Sequence, residues 1–310
     1  MLISPDEVLS VKGDAGAATL KNPRLLEILC DPDSPDGVSL SVAGDELAGA
    51  GFRVPVTGGI PDFVSFAPAA HRTIALNIPA TARPDRGVLT EPRAAGRVPS
   101  YFTEATWKYP IIEQHRKGLL LDVGCGQGHR ELYAPLGYDY VGLDVSFNSR
   151  QGYGGEADID IVADCHRLPI RSGTIEIVNS TAVFEHLYSP PLAAREICRI
   201  LKPGGLLIGS CSFLEGEHFD SQCHYSHLGL YRMLTDAGLA VRHIFPGDSL
   251  WEMHSGELYF SAPFNKALGR IHRKLFAFVT RFVGSETPES RLRRNAAILC
   301  FIAEKAGETV

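Results

Sequence analysis

The residues with the sharpest chemical meaning in this chain lie between Leu120 and Gly128. Leu120-Leu121-Asp122-Val123 runs straight into Gly124-Cys125-Gly126-Gln127-Gly128, an apolar stretch ending in three alternating glycines. Glycine is needed where the backbone must take positive φ and where a ligand closely approaches the main chain. Asp144 closes the next apolar run, 20 residues after Gly124. That spacing suits a carboxylate accepting hydrogen bonds from ribose hydroxyls. Position 129 is His where a dinucleotide fingerprint wants Gly, and no Gly-Lys-Ser/Thr follows to cradle a phosphate. The loop therefore reads as a nucleoside site without a pyrophosphate. On the glycines alone, an ordinary tight turn stays open as the alternative.

A second group of reactive side chains comes later. Glu185 and His186 follow one apolar run, and Glu217-His218-Phe219-Asp220-Ser221-Gln222-Cys223-His224-Tyr225-Ser226-His227 follows another. Histidine has the unperturbed pKa closest to neutrality, so His224 is the first candidate for a general base and His186 the second. His218, Asp220, Cys223, His224 and His227 invite a metal reading, but their spacing matches no zinc pattern, and no metal is expected. Ser226 or His227 reads equally well as the cap of a following helix. The seven cysteines, odd in number and scattered without a Cys-x-x-Cys pair, read as core residues in a reducing cytoplasm rather than a disulfide framework.

The elements that must hold these residues alternate. Apolar runs at 118–126, 138–146, 158–165, 174–183, 206–213, 240–247 and 296–306 read as seven strands. Helices read between them at 194–205, stopped by Pro203-Gly204-Gly205, and at 228–239, closed by Gly238. Buried runs alternating with helices predict a mostly parallel sheet covered on both faces. Ahead of it, residues 1–76 form a small β-rich domain. Asn22 and Pro23 open a short helix at 22–30, and short strands follow, separated by Asp/Gly turns. Residues 77–100, with four prolines and no periodicity, read as a linker, leaving 101–310 for the larger domain.

The order of these segments resembles the class I S-adenosylmethionine-dependent methyltransferases. DVGCGQG resembles their first motif, and VGLDVS the second strand with its acid. ADCHRLP (163–169) resembles the adenine loop, NSTAVFEHL (179–187) the fourth strand and its loop, and REICRILKPGGLLIGS (195–210) the helix-turn-strand that follows. The resemblance covers about 118–247, with the last strand added by AAILCFIAEK. It implies a seven-stranded Rossmann-like sheet with its last strand antiparallel, S-adenosylmethionine as cofactor, and methyl transfer as the activity. It implies cofactor contacts at Asp122, Gly124, Cys125, Gly126, Gly128, Asp144, Val145, Asp164, Cys165 and Ser180. Asp122 would favour the positive amino end of the methionyl group. HYSHLGLYRML resembles the segment that packs over the acceptor in small-molecule and sugar-directed members, so the expected acceptor is a small molecule or saccharide, methylated at oxygen. An RNA methyltransferase and a cofactor-binding protein without turnover stay open. Residues 23–64 are loosely similar to zinc-ribbon-like domains that precede or activate some methyltransferases, but only Cys30 of the two cysteine pairs remains.

Composition narrows the partners. The net charge is −6, with Lys+Arg 30 against Asp+Glu 36, which disfavours a nucleic-acid-coating protein. No apolar run reaches the roughly 18–20 residues a membrane span needs, and the start lacks the basic and apolar regions of a secretory leader. Residues 248–295 form an insertion before the last strand. Within it, 264–294 carries a net +6, leaving −12 on the remainder. Phe264, Leu268, Ile271, Leu275, Phe278 and Phe282 recur at three- and four-residue steps. Such a basic amphipathic helix packs as a lid, pairs two copies of the chain, or makes peripheral membrane contact through 264–282; all three stay open.

Overall fold

The computed structural model describes residues 19–32, 36, 39–49, 52–63, 108–146, 158–216, 221–247 and 296–307. The expected linker at 77–100, the insertion at 248–295 with its basic stretch, and Glu217 to Asp220 lie outside the described residues. The structure has a seven-stranded sheet built from β5 (Leu119–Val123), β6 (Asp139–Asp144), β7 (Ile161–Val162), β8 (Ile175–Thr181), β9 (Leu201–Ser212), β10 (Leu239–Pro246) and β11 (Ile298–Lys305). Its spatial order is β10-β11-β9-β8-β5-β6-β7. β5 pairs in parallel with β6 and β8, and β9 pairs in parallel with β8. β11 is antiparallel to both β9 and β10. This is a mostly parallel, Rossmann-like sheet with an antiparallel last strand.

The strands are largely apolar because both faces are covered, and successive side chains point to opposite faces. On one face Leu121, Val123 and Val178 pack with Ala193, Ile197 and Leu230 from α4 (Pro190–Ile200) and α5 (His227–Asp236). On the other, Leu120, Ile177 and Ile208 pack with Ile112 of α2 (Lys108–Gln114) and Tyr133 of α3 (Arg130–Tyr133). The caps follow local chemistry. Ser226 Oγ accepts the Gly229 N–H at 3.1 Å to start α5, and Gly238, at φ 93°, follows its end.

Helix boundaries differ from the sequence expectation: the helix expected over 22–30 covers only Leu25–Ile28, and the one expected from 194 begins at Pro190. α4 stops at Ile200 rather than at Pro203-Gly204-Gly205. Leu201 is already extended and pairs with Ile175, and the next pair is Leu206 with Ile177. Lys202 to Gly205 are therefore a bulge on β9, where Gly204 takes φ 74°.

The first unit is a four-stranded antiparallel sheet, β1 (Ser41–Ala43), β2 (Glu46–Gly49), β3 (Phe52–Thr57) and β4 (Ile60–Pro61), with α1 (Leu25–Ile28) beside it. Leu25, Ile28, Leu47 and Val54 belong to the same buried cluster as Leu121 and Val178, so the two sheets share a core. At its end Asp62 bridges in parallel to Val162, which covers the outer strand β7.

Candidate functional site

A cleft of about 350 Å³ opens at the carboxyl ends of β5, β6, β7 and β8, the place where open α/β sheets take ligands. Its floor is the glycine bend. Gly124, at φ 69°, donates its N–H to Leu143 O at 2.8 Å, and a Cβ there would lie 2.4 Å from Val183 Cγ2. A Cβ on Gly126, by contrast, would meet no protein atom within 4 Å. Gly126 fronts the cleft, and its bare backbone is what a ligand would approach.

Asp144 ends β6 at the cleft wall. Its Oδ2 accepts the Gly126 N–H at 2.9 Å, and its Oδ1 accepts the Val145 N–H at 2.7 Å. The acid thus joins the glycine bend to the second strand. Burial pushes its carboxyl above the usual range, against the pull of these backbone donors. Val145 stands beside it, half exposed to the cleft.

Across the cleft, Asp164 follows β7. Its Oδ1 accepts both the His166 backbone N–H, at 2.9 Å, and His166 Nδ1–H, at 2.5 Å. His166 Nε2 faces the Ser189 N–H at 3.2 Å and so must be the acceptor there, which puts the ring proton on Nδ1. Asp164, Cys165 and His166 are the described residues grouped closely enough to hold a metal. Both imidazole nitrogens are, however, engaged in hydrogen bonds, and burial pushes the Cys165 thiol up, so the geometry is that of a hydrogen-bonded pair.

The third wall is the turn after β8. Ala182 takes φ 52°, a left-handed conformation uncommon for a residue with a Cβ, and it lines the cleft with Val183, His186, Leu187 and Tyr188. Glu185 points away from the cleft into the core. Its Oε1 accepts the Ser212 hydroxyl at 2.9 Å, and burial holds its pKa up at about 7. Glu215 lies on the other side of the same hydroxyl.

Of the residues marked in the sequence, Gly124, Gly126, Asp144, Val145, Asp164, Cys165 and His186 line this one cleft. Cys125, Gly128 and Ser180 are not among its lining residues. Asp122 is buried behind the bend, where its carboxylate accepts from Asn179 Nδ2 at 2.6 Å, Tyr140 OH at 2.8 Å and His129 Nδ1 at 3.1 Å. Three donors within the chain thus share the two oxygens of this carboxylate. His224 is exposed, 3.4 Å from Ser221 Oγ, and is not a lining residue. The Gln222 and Cys223 N–H groups bond to Glu185 O, and from there exposure alternates, turning Gln222, His224 and Ser226 outward.

Several residues of the site carried no sequence signal. Lys108 is fully buried and donates to Asn179 Oδ1 at 3.0 Å and Thr181 Oγ1 at 2.5 Å. Because lysine can only donate, it fixes which end of the Asn179 amide faces Asp122. His166 and Tyr188 also went unmarked; nothing in their local sequence distinguishes them from loop residues.

Residues 121–209 match a protein family described as a methyltransferase domain. Among curated proteins, an uncharacterized chloroplastic methyltransferase of Arabidopsis thaliana is 34% identical over 107 residues, 30% of each chain. The demethylmenaquinone methyltransferase of Renibacterium salmoninarum is 35% identical over 92 residues, 29% of this chain and 39% of its own. The chain thus spans well under two thirds of these relatives. A solved methyltransferase in complex with the Haloferax volcanii Trm112 activator is 22% identical, with a TM-score of 0.42, over 64% of this chain and 88% of that one. Residues 121–209 thus match a methyltransferase domain, and S-adenosylmethionine is the cofactor that goes with such a domain.

Proposed function

We propose that this protein methylates a small-molecule or saccharide acceptor, at oxygen, using S-adenosylmethionine. One observation carries the cofactor half of this reading. The cleft is lined by two carboxylates and bare glycine backbone, with no lysine or arginine among its described lining residues. Such a lining suits a cationic adenosyl ligand and would repel a pyrophosphate. Gly124 and Gly126 would hold the cofactor's body, Asp144 its ribose hydroxyls and Asp164 its adenine amine. S-adenosylmethionine brings an electrophilic methyl group on a sulfonium. The protein's part is to orient the acceptor oxygen and remove its proton.

For the base we favour His186, which lines the cleft where His224 does not. The acidic charge outside 264–294 argues against an RNA acceptor. The N-terminal sheet reads as a structural unit rather than a metal site. Its one cysteine, Cys30, is buried, which raises the thiol to about 11. Seven cysteines, odd in number and scattered without a Cys-x-x-Cys pair, favour a reducing cytoplasm as the compartment.

Calorimetry with S-adenosylmethionine and with NAD tests the cofactor, and NAD binding alone would end the reading. Radiolabelled methyl transfer over sugars, phenols and bulk RNA tests the acceptor; label only in RNA moves the protein to the other class, and label in none leaves a binder. His186→Gln should lower kcat about tenfold or more. Unchanged turnover removes it as the base.

A further inference from the structure

His166 lies within the segment ADCHRLP that resembles the adenine loop, where the resemblance gives it no role, yet its ring is held by two hydrogen bonds and a stack. Its side chain is 3% exposed, against 38% for Asp164. Two donors from this one residue, backbone N–H and Nδ1–H, converge on a single oxygen of Asp164. The opposite edge of the ring accepts from Ser189, the residue that opens α4. Tyr188 lies flat on the imidazole, with centroids 3.8 Å apart and planes 26° from parallel, while half its surface stays exposed. Asp164, His166 and Tyr188 all line the cleft.

Each contact restricts something different. The paired bonds on Oδ1 hold the Asp164 carboxylate against rotation, so its direction is set before any ligand arrives. The Ser189 bond fixes the imidazole tautomer and spans two loops that are 23 residues apart in sequence. The ring thereby ties the loop after β7 to the turn that carries His186. The Tyr188 stack closes the outer side of the ring.

We propose that His166 is a positioning residue that aims the Asp164 carboxylate at a hydrogen-bond donor on the adenine edge, and so sets this site's preference for a 6-amino purine. The inference rests on the cofactor reading above and deepens it. A purine with oxygen at that position offers no donor to the carboxylate and presents a lone pair to it, which disfavours binding.

The test compares S-adenosylhomocysteine with S-inosylhomocysteine, its deaminated counterpart, by calorimetry on the full chain. The wild type should favour the adenosyl compound. His166→Phe keeps a flat ring under Tyr188 but removes both ring hydrogen bonds. It should weaken adenosyl binding about fivefold or more while shifting inosyl binding less than about twofold, so that the preference collapses. In turnover, KM for S-adenosylmethionine should rise with kcat little changed. His166→Asn, whose amide can reach toward Asp164, should recover part of the preference, and it decides the matter if the Phe variant does not fold. Equal loss for both ligands makes His166 a packing residue and overturns the inference, as does an undiminished preference. A wild type that binds neither compound overturns the cofactor reading first.

Discussion

At the scale of single residues, the site is held by groups in unusual states. Ala182 sits in the left-handed region at φ 52°, directly between β8 and the His186 turn. A Cβ in that conformation costs roughly 1 kcal/mol, which glycine does not incur. Ala182→Gly should therefore raise the urea midpoint slightly, by up to about 1 kcal/mol in unfolding free energy. A clear loss of stability would mean that Ala182's methyl group packs for more than the strain it carries. Glu185 gives a pH-dependent prediction. Its carboxyl is fully buried, and burial lifts its pKa to about 7, with Glu215 adding to the shift. In the unfolded chain it releases its proton near pH 4.5. Between those values the folded state keeps a proton that the unfolded state has lost, so stability falls as pH rises through the window. The loss is about 3 kcal/mol at most. Glu185→Gln cannot ionise. It should match the wild type near pH 5 and exceed it at pH 8, read as urea midpoints at both pH values. Parallel curves would show that Glu185 is not the titrating group.

Among the elements, strands were readable and loop-to-loop contacts were not. β5, β6 and β8 are covered on both faces, which writes them as largely apolar runs interrupted by buried polar residues such as Asp122 and Asn179, and the glycine bend is written in residue type because side chains are excluded there. The end of α4 is not legible in the sequence because Pro203-Gly204-Gly205 serves a bulge as well as it serves a helix stop. Asp144 and Asp164 could be marked because each sits at the carboxyl end of a strand, Asp144 closing β6 and Asp164 just past β7. The His166–Ser189 bond and the Lys108–Asn179–Asp122 chain could not, since each joins segments distant in sequence through side chains of ordinary type. The docking of the first unit was hidden for the same reason. It brackets the Asp164 loop by backbone bonds: Phe63 N–H to Val162 O at 2.7 Å on one side, Cys30 N–H to Pro169 O at 3.1 Å and Arg171 N–H to Ile28 O at 2.8 Å on the other. Lys21 adds an ion pair to Asp158, whose backbone N–H reaches Gln127 O in the glycine loop. Phe63→Pro deletes the first donor and leaves Val162 O without it. The thermal midpoint should fall in step with a loss of about 1–3 kcal/mol, and S-adenosylhomocysteine should bind more weakly. Normal ligand affinity in a destabilised variant would show that the Asp164 loop holds its shape without the first unit.

Taken as a whole, the molecule places its ligand site along the seam between four strand ends rather than within any one. The cleft takes its floor from the bend after β5, one wall from Asp144, another from the loop after β7 and a third from the turn after β8, while β4 lies against β7 on the far side. A ligand that bridges these parts binds only when they are assembled, so it must stabilise the fold as a unit. S-adenosylhomocysteine at about 100 times its Kd should raise the unfolding free energy by about 2.7 kcal/mol, and NAD at the same concentration should leave it unchanged. Asp144→Asn separates site from fold. The Asn side chain keeps an oxygen for part of the backbone donors but loses the charge and one acceptor, so the ligand-free protein should lose little stability while the ligand-induced gain shrinks. Asp144 also gives that gain a direction in pH. Because burial raises its carboxyl, protonation sets in above the ordinary aspartate range, and the wild-type gain should decline on acidification before that of an exposed carboxylate would. In Asp144→Asn the small remaining gain should stay flat over the same range. A gain of full size in the variant, with the wild type's pH dependence intact, would place the nucleoside somewhere other than against the end of β6.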